Sequence, residues 1–268
     1  MDLSRKLRID AGKHVKLAQF DPDDTPGFTK QSAQKSLERN LERLSELQYL
    51  LYAENRHALL VVLQGVDASG KDGTIRHVMT GLNPQGVSVT PFKAPSVDEL
   101  DHDYLWRIHR SVPPRGDIGI FNRSHYEDVL IVRVHRLVDR SVWSKRYDQI
   151  NAFEKMLVEN RILVLKFFLH IGSDEQKKRI QERIDDPKRR WKLSPSDFEE
   201  RRHFGDYQSA YEDVLSRCST SWAPWFLVPA NRKWYRNLAV SQIIVDALES
   251  LKMKFPPPTI DLTKYRLE

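Results

Sequence analysis

Cysteine is nearly absent from this chain, and long apolar runs are absent altogether. Its 268 residues include a single cysteine, Cys218, so no internal disulfide can form, and no clear Cys/His ligand set lies near it in the sequence. No run reaches the roughly 18 apolar residues of a membrane-spanning helix, and the N-terminal sequence MDLSRK lacks the apolar core of a signal peptide. We therefore expect a cytoplasmic protein that makes no membrane contact.

Internal repeats and low-complexity tracts are absent too, which argues against a repeat architecture and against a largely disordered chain. The chain does have 40% hydrophobic residues, enough for a full core, most simply in one large domain. Lys and Arg number 43 against 37 Asp and Glu, for a net charge of +6. This excess predicts attraction to polyanions, but charge alone cannot choose among small phosphates, nucleic acid and polyphosphate.

A phosphate-binding loop is the most informative feature of the sequence. Residues 58–63 form an apolar run typical of a buried strand, and residues 65–71 have a Gly-x-x-x-x-Gly-Lys pattern. Apolar residues at helical spacing follow from Ile75 to Leu82. In such a loop, backbone N–H groups and the helix N-terminus face an anion, and the lysine adds a cation. A purely structural turn is the alternative. The residues predicted to bind phosphate are Gly65, Ala68, Ser69, Gly70, Lys71, Asp72, Gly73 and Thr74.

Two acidic residues distinguish this loop from the usual pattern. Most such loops have Ser or Thr after the lysine, where the hydroxyl contacts Mg²⁺, but here that position is Asp72 and the nearest hydroxyl is on Thr74. Asp67 lies inside the loop, where a carboxylate would repel phosphate unless a divalent cation lay between them. We therefore predict Asp67 to be a ligand of a divalent metal ion. Asp72 either caps the helix or takes part in function.

Strands and helices alternate along the chain, which predicts an α/β fold: a three-layer α/β/α sandwich with a mainly parallel sheet. Leucines at helical spacing from Leu37 to Leu51 predict a helix that lies on the core. A capping-box pattern at residues 96–99 predicts a second helix that continues through Ile108. The predicted strands are residues 58–63, 87–90, 117–122, 162–171 and 225–228.

Three segments are expected in the domain organisation. Residues 1–30 are polar and rich in turn-forming residues, so we predict an irregular N-terminal arm. Residues 31–255 are predicted to form one domain, and three consecutive prolines begin a C-terminal tail of residues 256–268.

A polar cluster follows the strand that is expected beside the phosphate loop. In parallel sheets, ligands bind at the carboxyl ends of the strands, so these side chains should face the site. Asn122 offers a neutral oxygen as a metal ligand, and Arg123 can neutralise a phosphoryl group in transfer. Glu127 and Asp128 can accept hydrogen bonds from a nucleotide hydroxyl or base. Together with Asn122, these two and Tyr126 are predicted to bind the nucleotide; a solvated polar loop is the alternative.

A second cationic cluster surrounds Pro187, in residues 179–206. Because proline interrupts a helix and the flanking residues are strongly basic, we predict a mobile lid that folds onto phosphates. Arg183 is the predicted transition-state arginine, and Lys188 and Arg189 are predicted phosphate ligands. A solvated run of charge is the alternative interpretation.

Four motifs in this order resemble those of polyphosphate kinase family 2, and the resemblance extends from about Leu37 to Leu251. The family implies a thymidylate-kinase-like P-loop kinase fold with a helical lid. It also implies reversible, Mg²⁺-dependent phosphoryl exchange between inorganic polyphosphate and adenine or other purine nucleotides. The motifs are Gly65–Thr74, Phe121–Val129, Arg183–Lys192, and Ala223–Phe226 with Asn231–Arg236.

The same resemblance assigns roles to individual residues. It implies that Asp67 and Asn122 lie on the metal side, that Lys71 and Arg123 bind phosphate, and that Arg183 is the lid arginine. The branch restricted to nucleoside diphosphates has a second motif similar to Asp-Arg-Ser-Trp-Tyr-Asn-Arg, whereas this chain has Asn122 and His-Tyr-Glu-Asp at residues 125–128. That pattern is similar to branches that phosphorylate AMP, or both AMP and ADP.

Two other functions stay open at this stage. An ATP-dependent nucleoside monophosphate kinase would favour a hydroxyl after Lys71, where the chain has Asp72. A non-enzymatic P-loop module that binds nucleic acid would favour a recognisable nucleic-acid motif, and the sequence contains none. We therefore expect polyphosphate and nucleotides as partners and no nucleic acid; a homo-oligomer is compatible with this interpretation.

Overall fold

A five-stranded, all-parallel sheet forms the centre of the protein in a computed structural model that describes residues 2–264. The strands are β1 Ala58–Gln64, β2 Val87–Pro91, β3 Ile118–Asn122, β4 Ile162–His170 and β5 Trp225–Pro229. Their order in the sheet is β2-β3-β1-β4-β5, and because all pairs are parallel the carboxyl ends lie at one edge of the sheet. This confirms the predicted α/β fold with its parallel sheet.

The central position of β1 explains its composition. This strand pairs with β3 on one side and β4 on the other, and every one of its residues is buried. A strand buried on both faces has a continuous apolar run rather than an alternating pattern. The run that predicted the strand is therefore the same feature that fixes it in the middle of the sheet.

Helices pack on the sheet in two groups. The helices are α1 Leu3–Leu7, α2 Lys30–Glu54, α3 Lys71–Val78, α4 Val97–Leu100, α5 Trp106–Arg110, α6 Ile131–Val134, α7 Arg140–Glu159, α8 Ser173–Asp185, α9 Pro195–Arg202, α10 Phe204–Cys218 and α11 Lys233–Ser250. The long helix α2 packs against α11, which also contacts α1 and α3, whereas α7 packs against β4 and α10. Leu44, Leu47 and Leu51 of α2 are buried, which confirms the helix predicted on the core.

The N-terminal arm differs from the prediction of an irregular segment. It includes the short helix α1, and its apolar residues Leu3, Leu7 and Ile9 are buried. The Ile9 amide donates to the Trp225 carbonyl over 2.8 Å, which attaches the arm to the end strand β5. Burial of these side chains holds the arm against the domain. The turn-forming residues of the arm do not indicate this packing.

The helix predicted across residues 96–108 is interrupted. It forms α4 and α5 as separate short helices, because the Asp103 carboxylate accepts from the Leu105 amide and starts a new turn there. Such local side-chain bonds compete with a continuous helix. Among residues 2–264, no helix is both long enough and apolar enough to cross a membrane.

Candidate active site

The loop between β1 and α3 has the geometry that the glycine pattern predicts. Gly70 lies in the left-handed region with φ 104°, directly before the first residue of α3. A Cβ at Gly70 would overlap Nη1 of Arg236, so no larger residue fits there without displacing that side chain. The first turn of α3, which begins at Lys71, therefore opens directly onto the loop, with its amide groups free of intrahelical partners.

Lys71 folds back across this loop. Its Nζ donates to the Gly65 carbonyl over 2.7 Å and to the Val66 carbonyl over 3.4 Å. Burial, together with the positive charge of Arg123, lowers the pKa of Lys71 to about 8. A phosphate that binds in the loop would restore the preference for the charged amine.

Asp67 and Arg123 form the central ion pair of the site. The guanidinium Nη2 of Arg123 lies 2.6 Å from Oδ1 of Asp67. Burial by itself would raise the pKa of Asp67, but Lys71 and Arg123 outweigh it and lower that pKa below its usual value. Asp67 is therefore an anion at neutral pH, beside two cations that can also face phosphate.

Asp67 and Asn122, the residues predicted on the metal side, both line one large cleft of about 1130 Å³, and Asp72 lines it too. The Asn122 amide nitrogen donates to Oδ1 of Asp72 over 2.8 Å, so Asp72 orients the amide whose oxygen was predicted to bind metal. Among residues 2–264, no group of three or more His, Cys, Asp or Glu side chains converges to hold a metal alone. The set fits a divalent cation that is held by one or two carboxylates and completed by substrate phosphates and water.

The predicted lid forms one side of this cleft. Helix α8 ends at Asp185, directly before the break around Pro187, and Arg183 near its end pairs with Asp197 at 3.5 Å. Arg183 and Arg189 both line the cleft. Lys188 is exposed on the turn of the break.

Arg179, at the start of the predicted lid segment, is buried and does not belong to a mobile lid. Its guanidinium donates to the carbonyls of Ala68 and Ser69, over 3.0 and 2.9 Å, and to that of Ala230 over 2.6 Å. These bonds tie the phosphate loop to the end of β5. The buried charge is compensated by Glu175, whose carboxylate lies 2.7 Å from Nε.

A small chamber of about 160 Å³ adjoins the large cleft, and Asp67 and Arg123 line both cavities. Glu127 lies in its wall, as does Glu200 of the predicted lid segment. Three aromatic side chains also line the chamber: Phe204, Tyr207 and Tyr211. Polar groups beside aromatic surface are typical of a site for an organic ligand rather than for phosphate alone.

Three of the four predicted nucleotide-binding residues lie outside this chamber: Asn122, which lines the large cleft instead, Tyr126 and Asp128. Tyr126 is fully buried, and its hydroxyl donates to Glu154 and accepts from Lys166, each over 2.8 Å, so the prediction of direct nucleotide contact is wrong. Asp128 pairs with Arg146 at 3.1 Å, and burial raises the pKa of its carboxyl to about 6. Consecutive side chains of a short 3₁₀ turn point in different directions, so of residues 126–128 only Glu127 reaches the chamber.

The other polar loop residues, Thr74, Ser69 and Asp72, have different surroundings. The Thr74 hydroxyl donates to the Gly70 carbonyl over 3.1 Å, a bond one helical turn back along the chain. Ser69 is fully buried, and its hydroxyl has no hydrogen-bond partner among the described residues. Asp72 lies in the first turn of α3, where its negative charge interacts favourably with the positive end of the helix dipole.

The sequence does not identify several residues that contact the loop, among them Gln176 and Arg236. Gln176 donates to the Asp67 carbonyl over 3.0 Å, and Arg236 donates to the Ser69 carbonyl over 3.4 Å. Both lie more than 100 residues after the loop in the sequence, so no local pattern marks them. Arg236 was part of a family motif, but the motif did not indicate its contact.

Comparison with known proteins gives a consistent result. The family model described as Polyphosphate kinase 2 matches residues 27–256. The chain is 51% identical to an AMP/ADP-polyphosphate phosphotransferase of Meiothermus ruber, covering 98% of this chain and 100% of that protein. It is 46% identical to an ADP-polyphosphate phosphotransferase of Rhodopseudomonas palustris, covering 96% of this chain and 93% of the relative.

Among solved structures, the crystal structure of Polyphosphate Kinase 2 from Arthrobacter aurescens TC1 superimposes with a TM-score of 0.94 at 43% identity. The match covers 98% of this chain and 95% of that one. The family model matches most of the chain, and these relatives are similar to nearly all of it. The chain belongs to the polyphosphate kinase 2 family.

Proposed function

We propose that this protein transfers a phosphoryl group reversibly from inorganic polyphosphate to AMP and to ADP. The observation that carries this proposal is the Asp67–Arg123 pair, which lines both the large cleft and the small chamber. A reaction between two ligands needs reactive groups held where their sites meet. The relatives named as AMP/ADP- and ADP-polyphosphate phosphotransferases support both substrates.

The large cleft suits polyphosphate because its cations extend well beyond the phosphate loop. A long inorganic chain carries charge along its whole length, so many separate cations can bind it at once. Because polyphosphate has no nucleobase, the large cleft needs no hydrogen-bonding groups that would recognise one. The cationic side chains that line the cleft are Lys71, Arg76, Lys93, Arg123, Arg179, Arg183, Arg189, Lys192, Lys233 and Arg236.

The chamber suits the nucleotide acceptor. Glu127 can accept a hydrogen bond from the nucleoside, and Phe204 and Tyr207 offer apolar surface for its rings. About 160 Å³ is small for a nucleotide, since ligand sites usually exceed roughly 300 Å³. Lid residues Ser196 and Glu200 form part of the wall, so lid movement would enlarge the chamber.

In the proposed reaction a phosphate oxygen of the nucleotide attacks the terminal phosphorus of polyphosphate. The bond from that phosphorus to its bridging oxygen breaks, which leaves polyphosphate one unit shorter and the nucleotide one phosphate longer. Lys71 and Arg123 neutralise the oxygens in transfer, and Arg183 adds charge from the lid while excluding water. Mg²⁺, or Mn²⁺ in its place, would be held by Asp67 and the Asn122 oxygen and would neutralise donor phosphate charge.

The donor test separates this proposal from an ATP-dependent monophosphate kinase. Wild-type protein is given AMP with either polyphosphate or ATP in the presence of Mg²⁺, and ADP is followed by chromatography. We expect rapid ADP formation with polyphosphate and little with ATP. Rapid formation with ATP and none with polyphosphate would contradict the proposal.

A further inference from the structure

Arg236 is a buried cation, and no anion pairs with it in the described part of the chain. Only 2% of its surface is exposed, and it lies in the first turn of α11 against the phosphate loop. Its Nε and Nη2 donate to the neutral Asn237 side chain over 3.2 and 2.8 Å, and Nη1 donates weakly to the Ser69 carbonyl over 3.4 Å. Among residues 2–264, no carboxylate forms an ion pair with it or affects its pKa. Buried arginines usually have such a partner.

The neighbouring buried arginine shows the contrast. Arg179 has Glu175 as a partner at 2.7 Å and donates four further hydrogen bonds to backbone carbonyls. Arg236 has only neutral acceptors, and it is close enough to Arg179 to be repelled. Burial and this repulsion lower the pKa of Arg236 to about 9. The arrangement is unfavourable for the unliganded protein and would be relieved by an anion.

The position of the guanidinium indicates which anion. It lies against the first turn of α3, where a Cβ at Gly70 would overlap Nη1 and a Cβ at Gly73 would lie 3.2 Å from Nη2. This is the end of the helix that favours negative charge. Arg236 and Lys233, one helical turn apart at most, line the large cleft together with Lys71. Cations gathered at a helix N-terminus form a site for phosphate.

We propose that Arg236 binds a phosphate of the polyphosphate donor beside the phosphate loop, and that this phosphate is the anionic partner the guanidinium lacks. This inference rests on the proposed function, because it takes polyphosphate as the donor. Glycine at positions 70 and 73 then has a second purpose: it leaves room for the guanidinium next to the helix. The competing possibility is that Arg236 only braces the loop through the Ser69 carbonyl.

Stability and ligand affinity separate these two roles. Removing a brace lowers the stability of the free protein, whereas removing an unpaired buried charge leaves stability unchanged or raises it. We would compare wild type with Arg236→Met and, as a matched control, Arg232→Met. Arg232 precedes the same helix but is largely exposed and pairs with Asp23 at 2.9 Å. Arg236→Lys tests whether a point charge can replace the planar guanidinium.

Two measurements are made on each protein without acceptor nucleotide: the dissociation constant for inorganic tripolyphosphate by calorimetric titration, and the Tm of the free protein. For Arg236→Met we expect affinity at least tenfold weaker than wild type with a Tm no lower than that of Arg232→Met. Arg236→Lys should recover part of the affinity, and Arg232→Met should bind as wild type does. A loss below tenfold in Arg236→Met, or a Tm below that of Arg232→Met, would overturn the inference.

The proposed function is judged separately, by ADP formation from AMP and polyphosphate with the wild-type protein. If that reaction is present and Arg236→Met still binds tripolyphosphate normally, only the assignment of Arg236 fails. If wild type binds tripolyphosphate but transfers nothing to AMP or ADP, the proposed function fails while the binding comparison stands.

Discussion

Arg123 and Asp67 contact each other at 2.6 Å at the place where the large cleft and the small chamber meet. Arg123 follows β3 and has a left-handed backbone with φ 64°, while Asp67 lies in the loop after β1. Because β1 and β3 are neighbours in the sheet, the two side chains meet at the shared edge. The pair therefore places the predicted metal ligand Asp67 directly beside the predicted phosphate ligand Arg123.

Substitution of Asp67 should remove a central electrostatic contact. We expect Asp67→Asn to lower kcat/KM with polyphosphate and AMP by roughly 10²–10⁴, the scale seen when such a contact is lost. Steady-state kinetics at saturating Mg²⁺ measures this. Asp174→Asn, an exposed carboxylate on α8, is the control and should behave as wild type. Retention of more than about a tenth of wild-type activity would exclude a central role for Asp67.

Loss of the charge on Lys71 should set the alkaline limit of activity. Its pKa is lowered to about 8, so the amine loses its charge as pH rises through that value. We expect kcat/KM for polyphosphate, which reports the free enzyme, to fall on the alkaline side near pH 8. The midpoint for kcat should lie higher, because bound phosphate favours the charged amine.

The control for this pH dependence is Lys71→Arg, since a guanidinium stays charged throughout the range. Its activity should be lower but flat across the same pH interval. Parallel alkaline losses in the two proteins would show that another group titrates.

Glu127 should determine the use of AMP more than the use of ADP. A monophosphate has fewer phosphate contacts than a diphosphate, so more of its affinity must come from the nucleoside. We expect Glu127→Gln to lower kcat/KM for AMP relative to ADP by about 1–3 kcal/mol, or about 5- to 150-fold. Asp128→Asn is the matched variant. Because the Asp128 side chain pairs with Arg146, Asp128→Asn should leave the ratio of kcat/KM for AMP to that for ADP unchanged. A larger change in this ratio for Asp128→Asn than for Glu127→Gln would contradict the role given to Glu127.

A buried charge network beneath the 3₁₀ turn should govern stability. Lys166 Nζ lies 2.5 Å from Glu154 and also donates to the Cys218 carbonyl over 2.7 Å, with both charged side chains fully buried. Lys166→Met would leave Glu154 without its main cation, and we expect the free energy of unfolding to fall by about 3–5 kcal/mol. Urea denaturation measures this loss.

The double variant Glu154→Leu/Lys166→Met tests the physical reason for that loss. With both charges removed, most of the stability should return, because no unpaired charge is left in the core. Lys155→Met, which removes an exposed lysine from α7, should change stability by less than about 0.5 kcal/mol. A double variant as unstable as the single one would point to lost packing rather than to an unpaired charge.

Much of the fold could be predicted because its signals are local. The apolar run of β1 and the glycines of the loop specify a strand and a phosphate site within a few residues of sequence. The break between α4 and α5 depends instead on one side chain, Asp103, which captures the Leu105 amide. Capping of this kind competes with helix continuation and is not visible in the apolar spacing.

The site itself was only partly predictable. Asp67, Lys71 and Arg123 lie close together because they follow neighbouring strands, a relationship that the α/β pattern implies. The sequence gives the wrong role for Tyr126 because consecutive side chains of a tight turn point in different directions. Only the fold decides which of them is buried and which lines the small chamber. Arg236 is 167 residues from Ser69 in sequence, and only the fold brings the two into contact.

Acceptor use by the wild-type protein is the most direct test of the proposed function. The protein is incubated with AMP, polyphosphate and Mg²⁺, and nucleotides are separated by chromatography over time, beside a parallel reaction that starts from ADP. We expect ADP to appear first and ATP to follow in the AMP reaction, and ATP to form directly in the ADP reaction. No product from AMP alongside rapid ATP formation from ADP would contradict the proposal that both nucleotides are acceptors.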